Sequence, residues 1–256
     1  IVMRLVGSEM CIRDSLVANW KMNLINSKNW IYDFNNNLND SNLNDDLRIV
    51  ICPNYLQLPK FNQNHLSKIN FSMGAQNVSG NNSGAFTGEI SAEHLSEFSE
   101  VSYCIVGHSE RRSAGETDAM IKAKVKQLLT KNITPIICFG ESHEIQEKGE
   151  TEKFLNSQLN SIVNDENLNI DSCILAYEPL WAIGKGVPAD LETINNSISY
   201  ITKIIDLNKS NFKILYGGSV DSENSGEILS VDNVSGLLVG NSSLDGKEFA
   251  NIAKKF

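Results

Sequence analysis

Eight short apolar runs, separated by longer polar segments, constrain the fold of this chain more than any other feature. Each run is three to six residues long, and most are rich in Ile and Val without alternating polar residues. Strands that are buried on both faces have this composition, and runs this short do not form buried helices. The runs are residues 16–18, 47–52, 71–75, 103–106, 135–139, 173–176, 212–216 and 234–239.

The segments between the runs have the spacing of amphipathic helices. The clearest is 118–131, where apolar side chains recur at helical intervals and predict one buried stripe. The predicted stripe is Met120, Ile121, Val125, Leu128 and Leu129, with Lys122, Lys124 and Lys126 outside it. Other segments that fit helices are 151–163, 193–207 and 246–256. The Asn-rich residues 35–44 instead indicate a helix end followed by a loop.

Alternating strands and helices indicate a parallel sheet joined by right-handed crossovers. Eight such units in a chain of 256 residues match the number in a closed barrel. We therefore predict an α/β protein, a (β/α)8 TIM barrel with a single domain over residues 16–256. An open doubly wound sheet is the alternative. Against it, no Gly-x-Gly-x-x-Gly motif follows the first run.

Residues 1–15 form an atypical N-terminal segment. Four charged residues, Arg4, Glu9, Arg13 and Asp14, interrupt its apolar stretches, so the segment is not typical of a signal peptide. It also gives little pattern for a strand before Leu16. We interpret residues 1–14 as a non-native scar that does not belong to the fold.

Charge and cysteine content limit the partners and the compartment. The formal net charge of −9 argues against nucleic acid or an anionic membrane as a partner. No apolar stretch approaches the roughly 20 residues that span a bilayer. The five cysteines are odd in number and lack a CxxC motif, which indicates free thiols in a reducing, cytoplasmic compartment. Because the chain is acidic, an anionic ligand would have to be bound by a few local groups, such as backbone N–H groups and one or two lysines.

Polar residues and glycines follow the apolar runs at their C-terminal ends. Lys21 comes after the first run, His108 after the fourth and Glu178 after the sixth, while Gly217-Gly218 and Gly240 follow the last two. The C-terminal ends of barrel strands meet at one mouth, so these residues are expected to converge. A lysine, a histidine or a glycine turn alone is ordinary at such a position. A carboxylate directly after a buried strand is less ordinary, because burial of a charge is costly unless the group is paired or has a function.

Seven motifs along the chain resemble those of the triosephosphate isomerase family. They occur in the family's order and spacing from Leu16 to the C-terminus. The motifs are Asn19-Trp20-Lys21-Met22-Asn23, Gly74-Ala75-Gln76-Asn77, Gly84-Ala85-Phe86-Thr87-Gly88-Glu89, Tyr103-Cys104-Ile105-Val106-Gly107-His108-Ser109-Glu110-Arg111-Arg112, Ala176-Tyr177-Glu178-Pro179-Leu180-Trp181-Ala182-Ile183-Gly184-Lys185-Gly186, Tyr216-Gly217-Gly218-Ser219-Val220 and Gly236-Leu237-Leu238-Val239-Gly240.

The resemblance implies interconversion of D-glyceraldehyde 3-phosphate and dihydroxyacetone phosphate by proton transfer through an enediolate, with no cofactor and no metal. By the same resemblance Glu178 is the catalytic base and His108 polarises the substrate carbonyl. Asn19 and Lys21 bind substrate and stabilise the enediolate, and Glu110 supports Lys21 as an ion-pair partner. The residues after His108 form a plausible helix start, whose N–H groups would keep the imidazole neutral.

The segment after Glu178 resembles a lid that closes over the substrate and excludes water. The resemblance implies phosphate binding by backbone N–H groups near Gly184, Ser219, Gly240 and Asn241, where glycines permit a close approach. The family usually has a second glycine where this chain has Asn241. Its side chain is expected to crowd the phosphate or to donate a further hydrogen bond, with at most a modest effect.

The loop around Phe86-Thr87-Gly88 resembles the one that, in this family, inserts into the neighbouring subunit near its active site. The resemblance therefore implies a homodimer. The expected partners are thus a small phosphorylated triose and a second copy of the chain, with the loop around Thr87 reaching the partner subunit.

Two other functions remain open on the residues alone. One is another phosphate-binding barrel isomerase or epimerase, and metal-dependent versions of these need clustered ligands. The four histidines, at positions 65, 94, 108 and 143, show no such cluster. The other is a non-catalytic protein on the same fold, and the presence of Lys21, His108 and Glu178 together argues against it.

Overall fold

The structure is a computed structural model, and it describes residues 15–38, 43–61, 69, 71–98, 100–163, 168, 172–182, 189–207 and 212–256. Strands alternate with helices along these residues. The strands are β1 (Ser15–Asn19), β2 (Arg48–Cys52), β3 (Ser72–Ala75), β4 (Val101–Val106), β5 (Thr134–Phe139), β6 (Ile174–Tyr177), β7 (Lys213–Tyr216) and β8 (Gly236–Val239). The helices are α1 (Ser27–Leu38), α2 (Ala92–Phe98), α3 (Ser109–Ser113), α4 (Asp118–Thr130), α5 (His143–Glu147), α6 (Thr151–Val163), α7 (Leu191–Leu207), α8 (Ser225–Leu229) and α9 (Gly246–Ala253).

The eight strands form a closed barrel in chain order, and every neighbouring pair is parallel. Closure is made by β1 and β8, where Ser15 pairs with Gly236 and Ala18 with Val239. The predicted (β/α)8 barrel is confirmed, and the open doubly wound alternative is wrong. Strand β1 begins at Ser15, one residue before the predicted boundary, and residues 1–14 lie outside the described part of the chain.

Two apolar layers make up the core. Side chains inside the barrel form one cluster, and a larger cluster lies between the strands and the surrounding helices. Successive strand residues point to opposite faces, so residues two positions apart point the same way. Val17 and Ala176 belong to the inner cluster, and the residues two positions further along the chain therefore also point into the barrel. Those residues are Asn19 and Glu178, which therefore point into the barrel at its C-terminal mouth.

Most of the predicted helices and the buried cysteines are confirmed. Residues 151–163 are α6, 193–207 lie within α7, and 246–253 are α9. Of the Asn-rich residues, 35–38 end α1 and 43–44 are outside any helix, while 39–42 are not described. The described cysteines are free and buried, at positions 52, 104, 138 and 173. No helix within the described ranges is long and apolar enough to cross a membrane.

The predicted faces of α4 are partly wrong. Lys124, which was expected outside the apolar stripe, is only 4% exposed, whereas Met120 in the stripe is 48% exposed. The Lys124 ammonium contacts the Glu116 carboxylate and donates to Asn77 Oδ1 at 2.7 Å. A buried ammonium is tolerated when it is paired and hydrogen-bonded. Both partners come from other segments, so helical spacing could not reveal them.

Candidate active site

The predicted site residues that the structure describes converge on one pocket at the C-terminal ends of the strands. The pocket has a volume of about 280 Å³. Asn19 is the last residue of β1, Glu178 directly follows β6, and His108 lies two residues beyond β4. The predicted residues that line the pocket are Asn19, Lys21, His108, Glu178, Ser219, Gly240 and Asn241. Glu110 reaches the pocket through Lys21, and Gly184 lies outside the described residues.

Glu178 is a buried carboxylate whose two oxygens both have partners. Oε2 accepts a hydrogen bond from the Ser109 N–H at 3.0 Å, and Oε1 lies 3.2 Å from His108 Nε2. Burial raises the pKa of Glu178, and this effect outweighs the opposing influence of His108 and of the Ser109 N–H. A raised pKa makes the ionised carboxylate a stronger base than an ordinary glutamate, which suits proton abstraction.

His108 is held in a neutral form by the start of α3. It is the residue before the first turn of that helix, and its Nδ1 accepts a hydrogen bond from the Glu110 N–H at 3.2 Å. A ring nitrogen that accepts an N–H carries no proton, so the network assigns the proton to Nε2. Nε2 faces Glu178 Oε1 and is therefore a neutral donor directed into the pocket.

Lys21 has a strained backbone and a paired side chain. Its φ of 49° lies in the left-handed region, which is unfavourable for a residue other than glycine. The Asn19 side chain accepts the Lys21 N–H at 3.1 Å. The ammonium donates to Glu110 Oε1 at 2.7 Å. Partial burial tends to raise the pKa of Glu110, but the hydrogen bond to Lys21 and the positive charge of Lys21 bring the pKa below its ordinary value.

Gln76 is a positioning residue whose role the sequence did not reveal. Its side-chain amide donates to the backbone oxygen of Lys21 at 2.8 Å and to that of Cys52 at 2.9 Å. These two bonds attach the strained Lys21 backbone to the end of β2. Gln76 lies in one of the motifs that resemble the family, but the sequence does not show which carbonyl groups a glutamine after a strand will contact.

The turns after β7 and β8 bring backbone close to the catalytic side chains. A Cβ on Gly217 would lie 3.0 Å from Glu178 Cγ, and one on Gly218 would lie 2.3 Å from the Tyr216 hydroxyl. A side chain at Gly218 would therefore clash with the buried Tyr216 ring, and one at Gly217 would press on the Glu178 side chain. At Gly240 a Cβ would be 3.4 Å from Lys21 Cε, so the lysine side chain crosses directly beside this turn.

The described start of the predicted lid is bound to the barrel. Leu180–Ala182 form a short 3-10 turn, and Trp181 Nε1 donates to Glu141 Oε1 at 2.9 Å. The Ser219 hydroxyl donates to the Ala182 carbonyl at 2.9 Å, which links this turn to the β7 turn. Residues 183–188, including Gly184, are outside the described part of the chain, so the lid and this phosphate contact stay predictions.

The fold and the site define an α/β barrel with ionisable side chains gathered in one pocket at the mouth of the barrel. The family model described as triosephosphate isomerase matches residues 14–256. The triosephosphate isomerase of Francisella philomiragia is 37% identical over 253 residues, covering 93% of this chain and 94% of that protein. The enzyme of Aquifex aeolicus is 38% identical over 250 residues, covering 96% and 100%.

The triosephosphate isomerase of Alkaliphilus oremlandii is similar to the same extent, with 36% identity over 244 residues, covering 93% of this chain and 97% of that protein. The family model covers nearly the whole chain, and these relatives match over nearly their whole length. The chain belongs to the triosephosphate isomerase family. It is an isomerase that interconverts triose phosphates, a reaction of glycolysis.

Proposed function

We propose that Glu178 and His108 carry the proton transfers between D-glyceraldehyde 3-phosphate and dihydroxyacetone phosphate. The Glu178 carboxylate takes the proton from the carbon next to the carbonyl, and the electron pair moves onto the carbonyl oxygen to give the enediolate. The hydroxyl proton passes from the other oxygen to the oxygen that gained the electron pair, and return of the carbon-derived proton from Glu178 to the neighbouring carbon gives the isomer. His108 Nε2–H donates to the oxygen on which charge develops, which lowers the barrier.

One observation carries this assignment: the Glu178 carboxylate is buried and faces Nε2 of a histidine whose Nδ1 accepts a backbone N–H. Glu178 Oε1 and His108 Nε2 lie 3.2 Å apart. A substrate oxygen that takes the Nε2–H would release Glu178 Oε1 for the substrate C–H. The base and the donor are therefore arranged so that binding of substrate prepares both.

Lys21 and Asn19 stabilise the enediolate from the other side of the pocket. The ammonium of Lys21 provides positive charge for both the enediolate and the phosphate, and Glu110 fixes its direction by the 2.7 Å ion pair. Asn19 holds the Lys21 backbone through its side-chain oxygen. The catalytic set is thus Glu178, His108, Lys21 and Asn19, with Glu110 as the supporting carboxylate.

The phosphate is bound by backbone N–H groups of the turns at Ser219, Gly240, Asn241 and Gly184. These turns, where described, line the same pocket as Glu178. Backbone donors bind an anion without adding charge, which resolves the conflict between the net charge of −9 and an anionic substrate. The lid after Glu178 closes over this end and keeps water from the enediolate.

The functional unit is a homodimer. Met22 and Leu24 follow β1, Leu56 follows β2 and Phe86 follows β3, and these side chains are all exposed. These loops follow neighbouring strands of the barrel, and large apolar side chains exposed on adjacent loops favour a protein contact. Thr87 lies in the same loop as Phe86 and reaches the partner subunit. Sedimentation that finds an active monomer would contradict the dimer.

We propose that residues 1–14 are a non-native segment outside the isomerase domain; the described part of the barrel begins with Ser15, in the strand that closes it. Removing them is expected to leave the midpoint of thermal unfolding nearly unchanged, and a large loss of stability would overturn this. The free buried cysteines are consistent with a reducing compartment, so we assign the enzyme to the cytoplasm. Cell fractionation tests that assignment.

The deciding experiment is a coupled assay of triose phosphate interconversion with EDTA present. Turnover that is lost on Glu178→Gln supports the assigned base and a mechanism that needs neither metal nor cofactor. Full activity of that variant would place the base elsewhere. A folded protein with no turnover would instead favour another sugar-phosphate isomerase or epimerase, or a non-catalytic barrel protein.

A further inference from the structure

The phosphate end of the pocket has a neutral side-chain donor that no described residue engages. Ser219, Asn241 and Ser242 lie on the turns that form this end. Each serine hydroxyl has one proton, and both are used: Ser219 donates to Ala182 and Ser242 donates to the Val220 carbonyl at 2.7 Å. The Asn241 side chain is exposed at the pocket and makes no hydrogen bond to the described residues.

The backbone at Asn241 does not require glycine. The residue begins the short 3-10 turn Asn241–Ser243, and it is absent from the described residues with positive φ. The side chain is therefore held without backbone strain. An alanine at this position would keep the turn and its N–H groups, so the contribution of the side chain alone is measurable.

The charged residues around the phosphate end supply little positive charge for an anion, so neutral hydrogen-bond donors would be needed there. Lys21 is the cation among the lining residues, and its ammonium is already shared with Glu110 at 2.7 Å. Asp221 also lines the pocket, but its Oδ1 accepts the N–H groups of Glu223 and Asn224 within its own turn. A phosphate placed here therefore meets one shared cation and an anionic neighbour.

We propose that the Asn241 side-chain amide donates a hydrogen bond from Nδ2 to a phosphate oxygen of the bound triose phosphate. The inference rests on the proposed function of this pocket and adds a side-chain donor to the backbone N–H groups that bind the phosphate. A hydrogen bond from a neutral amide to a charged oxygen is stronger than one between neutral groups. Asn241 thus strengthens binding of the phosphate at the turn after β8, beside the lysine that serves the enediolate.

The test uses Asn241→Ala and Asn241→Asp in the complete protein. Two quantities are measured, KM for glyceraldehyde 3-phosphate and the inhibition constant of inorganic phosphate. Asn241→Ala is expected to raise both by about three- to tenfold, as loss of one such hydrogen bond at an exposed site implies. Asn241→Asp keeps the size but repels the anion, so both constants rise further. Asn195→Ala, on an exposed position of α7, is the matched control.

Three results would overturn the inference. Constants within twofold of the unaltered enzyme would show that the amide does not bind phosphate. A lower KM in Asn241→Ala would show that the side chain crowds the substrate. An increase in KM without an increase in the phosphate inhibition constant would place the effect elsewhere in the substrate.

A failure of the proposed function is distinguishable from a failure of this inference. If the unaltered protein did not isomerise triose phosphates, the proposed catalytic roles would fail. Calorimetric titration with inorganic phosphate would still compare the unaltered protein with Asn241→Ala. A three- to tenfold weaker dissociation constant in the variant supports the side-chain contact, and equal constants refute it.

Discussion

The two ends of the pocket are constructed differently. At the proposed base end, each group is fixed by another residue: the Glu178 carboxylate by Ser109 and His108, the Lys21 backbone by Asn19, and the Lys21 ammonium by Glu110. At the phosphate end, glycine turns supply backbone groups, and the Asn241 amide has no partner among the described residues.

The difference reflects what each end must do. Proton transfer requires a base and a donor held in fixed directions, because small displacements of reacting atoms are costly. A phosphate has several equivalent oxygens and needs only several donors within reach. We therefore expect single substitutions at the base end to have large effects on turnover, and those at the phosphate end to have small effects on affinity.

The largest effect is expected from Glu178→Gln. Loss of a general base reduces the rate by about 10²–10⁴-fold, so kcat should fall within that range while KM changes little. Burial of the charged carboxylate, which raises the pKa of Glu178, also costs stability at neutral pH. The variant should therefore unfold at a higher temperature than the unaltered enzyme. Glu152→Gln on exposed α6 is the control, and a loss below tenfold would remove Glu178 from its role.

Lys21→Met should have the next largest effect. It removes the ammonium but keeps the length of the side chain, and loss of one electrostatic stabiliser costs about 10²–10³-fold in kcat. KM should also rise, because the same cation faces the phosphate. Lys126→Met, at an exposed position of α4, is the comparison. If only KM changed, Lys21 would belong to the phosphate end and the contrast between the two ends would be weaker.

The pH dependence of kcat/KM should follow the ionisation of Glu178. The active form is the carboxylate, so activity is lost about tenfold per unit as pH falls below its pKa. Because burial raises that pKa above the ordinary value of 4.5, the loss begins at a higher pH than for an exposed glutamate. The sign for stability is opposite: the folded state binds the proton more tightly, so this group destabilises the fold as pH rises through the raised pKa. If kcat/KM instead fell at the pH expected for an exposed glutamate, the assignment of Glu178 as the base would be contradicted.

Gln76→Ala tests whether the base end depends on backbone support. It leaves the Lys21 carbonyl without its side-chain donor and removes one of two donors to the Cys52 carbonyl, so kcat/KM should fall about tenfold through misplacement of Lys21. The free energy of unfolding should fall by about 1–3 kcal/mol, as for other buried groups that lose a partner. A purely structural role would lower stability and leave kcat unchanged. Gln127→Ala on α4 controls for a glutamine outside the site.

The smallest effect is expected from Ser219→Ala. The backbone N–H remains, and only the hydroxyl bond to Ala182 is lost, which corresponds to about 0.5–1.5 kcal/mol. KM should rise about two- to tenfold with kcat nearly unchanged. If this substitution reduced kcat as strongly as Lys21→Met, the phosphate end would also depend on fixed side chains.

The local pattern was sufficient to predict the barrel and the convergence of the candidate site residues on one pocket. Eight short Ile- and Val-rich runs with helical spacing between them specify alternating strands and helices. The strands then place whatever follows them at one mouth, which is why Glu178, His108 and Lys21 could be grouped before their distances were known. The motif resemblance gave these residues their roles.

Helical spacing wrongly predicted the burial of residues whose environment depends on distant segments of the chain. Lys124 has the spacing of an outward lysine, yet it is buried because Glu116 and Asn77 surround its ammonium. Met120 belongs to the apolar stripe by spacing but faces outward. Spacing along one helix describes directions around its axis and contains no information about which neighbour lies in each direction.

The sequence by itself thus determined the alternation of elements, the number of strands and the identity of the groups at the strand ends, since these depend on residues close together in the chain. Only the tertiary structure decided that β1 closes on β8, that Gln76 holds the left-handed backbone of Lys21, and that the Asn241 amide, at the turn after β8, has no partner among the described residues. Those facts depend on contacts between residues far apart in the chain, which form only when the barrel closes.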